Sequence, residues 1–277
     1  MNYTEIQFQI SPLQPAAEIL IAELSDLGFE SFVEGENGLK AYIAGENFNI
    51  SLIDDLFILQ NSEFNITYQK KIILDENWNA KWESDYDAVI IDKRCYIRAP
   101  FHMSKPEIEF EILIEPKMSF GTAHHETTAQ MIQLLLNENI DGKSLLDMGC
   151  GTAVLAILAK KKGANIVHAI DNDEWAYNNS VENIQRNSFP DIQVEQGDAT
   201  LLKERKYDVI LANINKNILL ADMESYSNSL NSGGIIMFSG FYENDLNDIK
   251  KKADQYHLQY HLHIVKNDWV AAKFSKK

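Results

Sequence analysis

From residue 143 onward, short apolar runs alternate with stretches of helical periodicity, and this alternation narrows the fold more than any other feature. Residues 143–148, 165–170, 192–195, 207–212 and 234–239 read as strands. Residues 154–162, 174–187, 216–230 and 243–256 read as helices, and 257–265 with 268–274 close the chain as a strand pair. Strands separated by helices predict an α/β, doubly wound, seven-stranded sheet, parallel where the alternation holds and closed by the terminal strand pair. Such a sheet binds ligands at the carboxyl ends of its strands, so candidate functional residues are sought there.

The N-terminal part has a different rhythm. A strand at 3–9, a helix at 15–27, strands at 29–33 and 39–43, a helix at 48–59 and a strand at 64–74 follow in order. That order predicts a small α+β, ferredoxin-like domain. The expected organisation is therefore a domain over 1–74, a connector over 75–92 and a larger domain over 93–277. The connector is rich in aromatic and charged residues, unlike a Gly/Ser tether, and short strands follow at 95–98 and 108–114.

Charge separates the two domains further. The 277 residues carry a formal net charge of −16. Residues 1–74 hold three lysines (Lys40, Lys70, Lys71) against eleven acidic side chains, so half of the net charge lies in about a quarter of the length. This balance argues against stable nucleic-acid binding, which relies on Lys and Arg at phosphates. It suits either a solubilising surface or docking of a basic protein. No apolar run approaches the roughly 20 residues of a membrane span. Met1-Asn2-Tyr3-Thr4-Glu5 carries no basic-then-apolar pattern, so no secretory signal is expected, and Cys95 and Cys150 supply neither a disulfide framework nor metal-ligand spacing. A cytoplasmic monomer in a reducing compartment is expected.

The first strand of the larger domain delivers Asp147-Met148-Gly149-Cys150-Gly151-Thr152-Ala153. Gly149 and Gly151 admit a ligand or backbone where a Cβ would clash. The second strand ends at Asp171, twenty residues past Gly151, where a carboxylate accepts ribose hydroxyls. A dinucleotide loop would place its third glycine at 154, which here is Val154, so NAD is disfavoured. Asp198, after the third strand, suits either the amine of an adenine or a helix cap. The fourth strand ends at Asn213, whose carboxamide oxygen is suited to accept from an attacking amine. Before the first strand, Phe120-Gly121-Thr122-Ala123-His124-His125-Glu126-Thr127-Thr128 precedes a helix at 129–136. The Thr pair suits a helix cap or a loop over the ligand, and His124 has the pKa range to accept an amine proton. Adjacent histidines point apart and no third ligand has motif spacing, so no metal is expected.

Four segments occur in one order: 119–128 (S-F-G-T-A-H-H-E-T-T), 146–156 (L-D-M-G-C-G-T-A-V-L-A), 169–173 (A-I-D-N-D) and 212–214 (A-N-I). Together they resemble the bacterial ribosomal protein L11 methyltransferases (PrmA), and Asn77-Trp78-Asn79-Ala80-Lys81-Trp82 resembles that family's Asn-Trp-x-x-x-Trp segment. The resemblance spans most of residues 77–274. It implies the class I methyltransferase sheet, S-adenosylmethionine as cofactor, and a donor site to which Thr128, Gly149, Asp171 and Asn213 match. Gly151 and Asp198 belong to the same expected cofactor-binding set, with Asn213 and His124 as catalytic candidates. It further implies methyl transfer to lysine and N-terminal amines of a basic ribosomal protein recognised by the N-terminal domain. Ala123 and Ala153 stand where the family commonly has Gly. The competing readings are a methyltransferase of RNA or a small molecule, and a non-catalytic ribosome-assembly module.

Overall fold

The computed structural model describes residues 2–45, 48–73, 86–115, 117 and 121–277. The segment 77–82, the expected connector as far as residue 85, and Ser119 and Phe120 of the loop motif lie outside the described residues. The chain divides into two compact units, Met1–Asp85 and Tyr86–Lys277.

In the first unit, β1 (Tyr3–Ser11), α1 (Ala16–Asp26), β2 (Ser31–Gly35), β3 (Gly38–Ala44), α2 (Ile50–Asp54), α3 (Phe57–Gln60) and β4 (Asn65–Ile73) form a ferredoxin-like pattern. The sheet order is β2-β3-β1-β4, antiparallel throughout. Strict alternation drives β1: Ile6, Phe8 and Ile10 are buried while Gln7 and Gln9 are exposed. Ala16, Ala17, Leu20 and Leu24 of α1 join these residues in the core.

The single helix expected at 48–59 is instead two short helices, broken at the extended Leu56 (φ −59°, ψ 131°). The buried residues explain the break. Ile53, Leu56 and Ile58 all enter the core. In one continuous helix Phe57 would share the face of Ile53 and Ile58 would point away. Breaking at Leu56 turns Ile58 inward and leaves Phe57 73% exposed.

The second unit begins with a small sheet of β5 (Val89–Ile91), β6 (Cys95–Arg98) and β7 (Phe110–Leu113). Next come α4 (Glu126–Leu136), β8 (Ser144–Met148), α5 (Val154–Lys161), β9 (Ile166–Asp171), α6 (Glu174–Arg186) and β10 (Gln193–Gln196). The chain continues through β11 (Tyr207–Asn213), α7 (Lys216–Ser229), β12 (Leu230–Tyr242), α8 (Leu246–Gln255), β13 (Leu258–Lys266) and β14 (Trp269–Lys276). The large sheet has the order β10-β9-β8-β11-β12-β14-β13. Its strands alternate: Leu145, Val167, Val209 and Leu211 pack with α4 and α5, whereas Leu146, Ile170, Ile210 and Ala212 pack with α7 and α8. Both faces are covered, as a doubly wound sheet requires.

The terminal strand pair is a hairpin inserted at the edge of the parallel strands. β14 runs antiparallel to both β12 and β13. Only Asn267 and Asp268, at φ 49° and 65°, separate β13 from β14. A two-residue loop with both residues left-handed closes an antiparallel hairpin and cannot return the chain to a parallel neighbour. Among the described residues no helix is long and apolar enough to cross a membrane.

Candidate donor and acceptor site

The expected residues of β8, β9 and β11 gather at the carboxyl edge of the large sheet. Gly149 and Gly151 have φ of 68° and 54°, and Ala153, at 61°, is left-handed as well. These conformations fold the chain after β8 into a tight loop. The backbone N–H groups of Gly149 and Cys150 donate to the Ile170 carbonyl at 2.8 and 3.1 Å. Asp171 completes the fixation: Oδ2 accepts from Gly151 N at 2.9 Å and Oδ1 from Asp173 N at 3.1 Å. A carboxylate offers about four acceptor positions, so Asp171 keeps capacity for hydroxyl donors beyond these two.

The glycines answer first to protein neighbours. A Cβ on Gly149 would lie 2.2 Å from Ile214 Cγ2, and one on Gly240 would lie 2.3 Å from the Ile214 carbonyl oxygen. Gly149, Ile214 and Gly240 therefore stack where β8, β11 and β12 end. Gly121 is similarly constrained: at φ 105° its carbonyl accepts from Thr152 Oγ1 at 2.7 Å. Thr152 thus ties the 121–125 loop to the glycine loop, and Asn183 Nδ2 holds the Thr152 carbonyl at 3.2 Å. The sequence carried no signal for Thr152 or Asn183 beyond their polarity; their roles emerge only from the packing of α6.

Helix α4 starts at Glu126, three residues before the expected 129, because His125 caps it by accepting from Thr127 N at 3.3 Å. Thr127 and Thr128 consequently occupy the first turn rather than the cap. Asn267 Nδ2 donates to Glu126 at 2.8 Å, and Gln130 Nε2 donates to the Trp269 carbonyl at 2.9 Å, locking α4 onto the β13–β14 hairpin. That lock positions Thr128, which is 1% exposed, to accept from Asn213 Nδ2 at 3.3 Å. The other end of the Asn213 carboxamide, Oδ1, is buried with no partner.

Asp147 is the penultimate residue of β8, two residues before Gly149. Its Oδ2 accepts from Ala156 N at 3.1 Å in the first turn of α5, and Oδ1 has no partner. Burial pushes its carboxyl up to about 7; the Ala156 N–H opposes the shift and the Asp171 charge reinforces it. Burial also drives the Cys150 thiol well above its usual range, with the Asp147 and Asp171 charges adding to the effect. Asn179 Nδ2, on the helix that flanks the loop, and Gln130 Oε1, on α4, are the other buried side-chain atoms without a partner among the described residues. An acceptor at Asn213, an acceptor at Asp147 and a donor at Asn179 are suited to a polar, amino-acid-like ligand. Buried polar atoms left unpaired are costly, and a bound partner offsets that cost.

Two further expected site residues, Asp198 and His124, carry local hydrogen bonds of their own. Asp198 is exposed and caps the 3-10 turn Ala199–Leu202, accepting from Thr200 N at 2.9 Å and Thr200 Oγ1 at 2.6 Å. Those bonds lower its pKa. It lines a cavity of about 440 Å³ with Asn172, Asn217 and Asp222, whose own carboxyl is raised by burial. His124 spends both ring nitrogens nearby: Nε2 donates to the Asp87 carbonyl at 2.8 Å and Nδ1 lies 3.1 Å from Thr122 Oγ1. Its ring meets the edge of Tyr86 with centroids 4.7 Å apart. This geometry ties the ring to the Asp87 backbone and to Thr122 within the loop.

A sheet of this order, with a glycine loop after its first strand, an Asp closing the second and an Asn closing the fourth, defines the class I methyltransferase fold, and this class implies use of S-adenosylmethionine. A methyltransferase structure from Pyrococcus furiosus matches it with TM-score 0.50 at 20% identity, covering 60% of this chain and 89% of that one. The family model for ribosomal protein L11 methyltransferase (PrmA) matches residues 18–277, and the chain belongs to that family. A ribosomal protein L11 methyltransferase of Phocaeicola vulgatus is 45% identical, with 100% of each chain covered. One from Bacteroides fragilis is 44% identical, with 99% of each covered. The crystal structure of a ribosomal protein L11 methylase from Lactobacillus delbrueckii subsp. bulgaricus superimposes with TM-score 0.64 at 25% identity, covering 69% of this chain and 98% of that one.

Proposed function

We propose that this chain methylates ribosomal protein L11, transferring methyl groups from S-adenosylmethionine to lysine side chains and an N-terminal amine. The observation that carries the reading is Asn213. Its Nδ2 is held by Thr128 while its Oδ1 is buried and unpartnered at the carboxyl edge, beside the glycine loop. When bound, S-adenosylmethionine supplies a methyl group on a cationic sulfur, open to in-line attack by a neutral amine.

The chain's own residues account for the rest. Asp171 holds the ribose hydroxyls with the acceptor capacity left after Gly151 and Asp173. The loop from Gly149 to Ala153 presents backbone to the donor's amino-acid end, and Thr152 with His124 keeps the 121–125 segment closed over it. Asn213 Oδ1 accepts one N–H of the incoming amine, which orients the nitrogen lone pair along the attack line. The amine enters neutral, and after transfer its proton leaves to water or to His124, whose Nδ1 faces Thr122 Oγ1. Asp198 contributes at the adenine end through the carboxylate oxygen not engaged by Thr200.

Residues 1–74 serve as the substrate-recognition domain of a monomeric cytoplasmic enzyme; the connector expected over 75–92 is shorter at its far end, because β5 (Val89–Ile91) already belongs to the second unit, the methyltransferase domain. The acidic balance of the first domain favours a basic protein over RNA. Asn213→Ala is expected to lower turnover by about a hundredfold while donor affinity changes little, since proximity and orientation are what it removes. Labelled donor offered with either L11 or ribosomal RNA distinguishes the substrate classes. Wild-type turnover by Asn213→Ala would eliminate the alignment role, and label on RNA alone would eliminate the protein substrate.

A further inference from the structure

In the first unit, charge is divided unevenly between the two sides of the sheet. The open face carries Glu5 and Glu30 together with Lys40 and Lys71, which stand in register opposite Val33 and Glu5. Both carboxylates there have tyrosine partners: Tyr3 OH donates to Glu30 at 3.2 Å, and Tyr42 hydrogen-bonds Glu5. This face is locally balanced.

On the helical side Asp54 also has a tyrosine partner, Tyr68, whose hydroxyl donates to it, but here carboxylates outnumber lysines. Glu18, Glu23 and Asp26 lie on α1, Asp54 and Asp55 at the end of α2, and Glu63 after α3. Among the described residues on this side the lysine is Lys70, whose Nζ lies 4.3 Å from the centre of the Phe48 ring. The same side also presents apolar surface: Phe57 is 73% exposed, with Ile50 at 41% and Ile19 at 38%. Glu23 on α1 accepts from Ile58 N at 3.4 Å, so α1 meets the first turn of α3 beside Phe57. Ile19 lies one helical turn before Glu23 on the same stripe.

The break at Leu56 that turns Ile58 inward is also what turns Phe57 out. A large aromatic held outward among carboxylates has the anatomy of an interface anchor, with apolar contact at the centre and charge at the rim.

We propose that this helical face, anchored by Phe57 and rimmed by Glu23, Asp54, Asp55 and Glu63, docks a lysine-bearing surface of the substrate protein. The proposal rests on the reading of L11 as substrate and names the surface that recognises it. Charge complementarity selects the occupant. A lysine-rich protein is attracted by six carboxylates here and gains nothing at the open face, where Lys40 and Lys71 oppose it. Phe57 supplies the apolar contact that attraction alone lacks.

The test uses the full-length protein and purified L11. Binding is measured by fluorescence anisotropy of labelled L11, and donor affinity is measured separately by calorimetry. Phe57→Ala is expected to weaken L11 binding on the order of thirtyfold, in the range of an interface hot spot. The effect should recur as a raised KM for L11, with an unchanged melting curve because the side chain is mostly exposed. Asp54→Asn with Asp55→Asn should slow association and flatten its dependence on salt. Val33→Ala, on the open face, should stay within twofold of wild type.

Phe57→Ala binding within twofold of wild type, or Val33→Ala weakening binding as much as Phe57→Ala, would overturn the assignment of the surface. A wild-type chain that neither binds nor methylates L11 would overturn the substrate reading beneath it. Methylation by wild type together with unaltered binding by Phe57→Ala overturns the surface alone.

Discussion

Asp147→Asn is the substitution whose effect follows most directly from the geometry of the glycine loop. Asp147 is 1% exposed, with one oxygen on Ala156 N and the other without a partner. Burial raises its carboxyl from the ordinary 3.8 to about 7. The folded chain therefore holds this proton more tightly than the unfolded chain does. The group's contribution to stability is present in full below about pH 4 and is lost as the pH rises from about 4 to about 7. At about 1.4 kcal/mol per pH unit, ionising it in the folded protein costs on the order of 4 kcal/mol by pH 8.

An asparagine is nearly isosteric and never ionises, and its amide oxygen can accept from Ala156 N in the same place. The gap in stability between variant and wild type should thus widen by about 2–3 kcal/mol from pH 5 to pH 8, with the variant favoured at the upper end. Urea unfolding of the donor-free protein at pH 5, 6, 7 and 8, at constant ionic strength, measures this gap. Parallel stability profiles for the two proteins, or a variant less stable than wild type at pH 8, would refute the assignment of a costly buried charge.

Three further substitutions test separate parts of the site. Asp171→Ala should weaken donor binding by about a hundredfold in calorimetry, the loss of charge-assisted hydrogen bonds to two hydroxyls, and unchanged affinity removes its ribose role. Gly240→Ala should destabilise the second unit by about 2–4 kcal/mol in thermal or urea unfolding, because its Cβ meets the Ile214 backbone at a left-handed φ; a wild-type midpoint contradicts that packing. Ala153→Gly should be neutral within about 0.5 kcal/mol, since relief of roughly 1 kcal/mol of left-handed strain is offset by loss of a buried methyl worth about 0.8 kcal/mol. A large shift in either direction would show that one of those two opposing effects dominates.

That near-balance explains how alanine stands at two positions where glycine would be expected. Ala153 and Ala123 both adopt φ above 60°, yet both are almost fully buried, so each methyl returns in packing part of what it costs in backbone strain.

The second unit was the more legible from sequence. Strands buried on both faces are continuous apolar runs, so the expected 207–212 and the observed Tyr207–Asn213 agree to a residue. The terminal hairpin was legible from two apolar runs separated by two residues, but the placing of β14 between β12 and β13 was not, because it depends on which edge the hairpin pairs with. The start of α4 was missed because its cap is His125, outside the usual cap residues. In the first unit, the count of apolar residues at 48–59 fitted one helix, and only the demand that Ile53, Leu56 and Ile58 all reach one core reveals the break.

The candidate site divides along similar lines. Gly149, Gly151, Asp171 and Asn213 announce themselves because they follow strand ends, where a doubly wound sheet presents its ligand residues. Thr128 depends on α4 being locked to the β13–β14 hairpin, a contact across 141 residues of sequence between Glu126 and Asn267. The engagement of His124 Nε2 likewise depends on the Asp87 carbonyl, 37 residues away. Sequence spacing carries neither fact.

The most direct test of the account is intact-mass spectrometry of purified L11 before and after incubation with the full-length protein and S-adenosylmethionine. Wild type should add mass to L11 in steps of one methyl group, and Asn213→Ala should leave L11 at its starting mass over the same interval. L11 unchanged by a wild-type protein that demonstrably binds the donor would contradict the account at its centre.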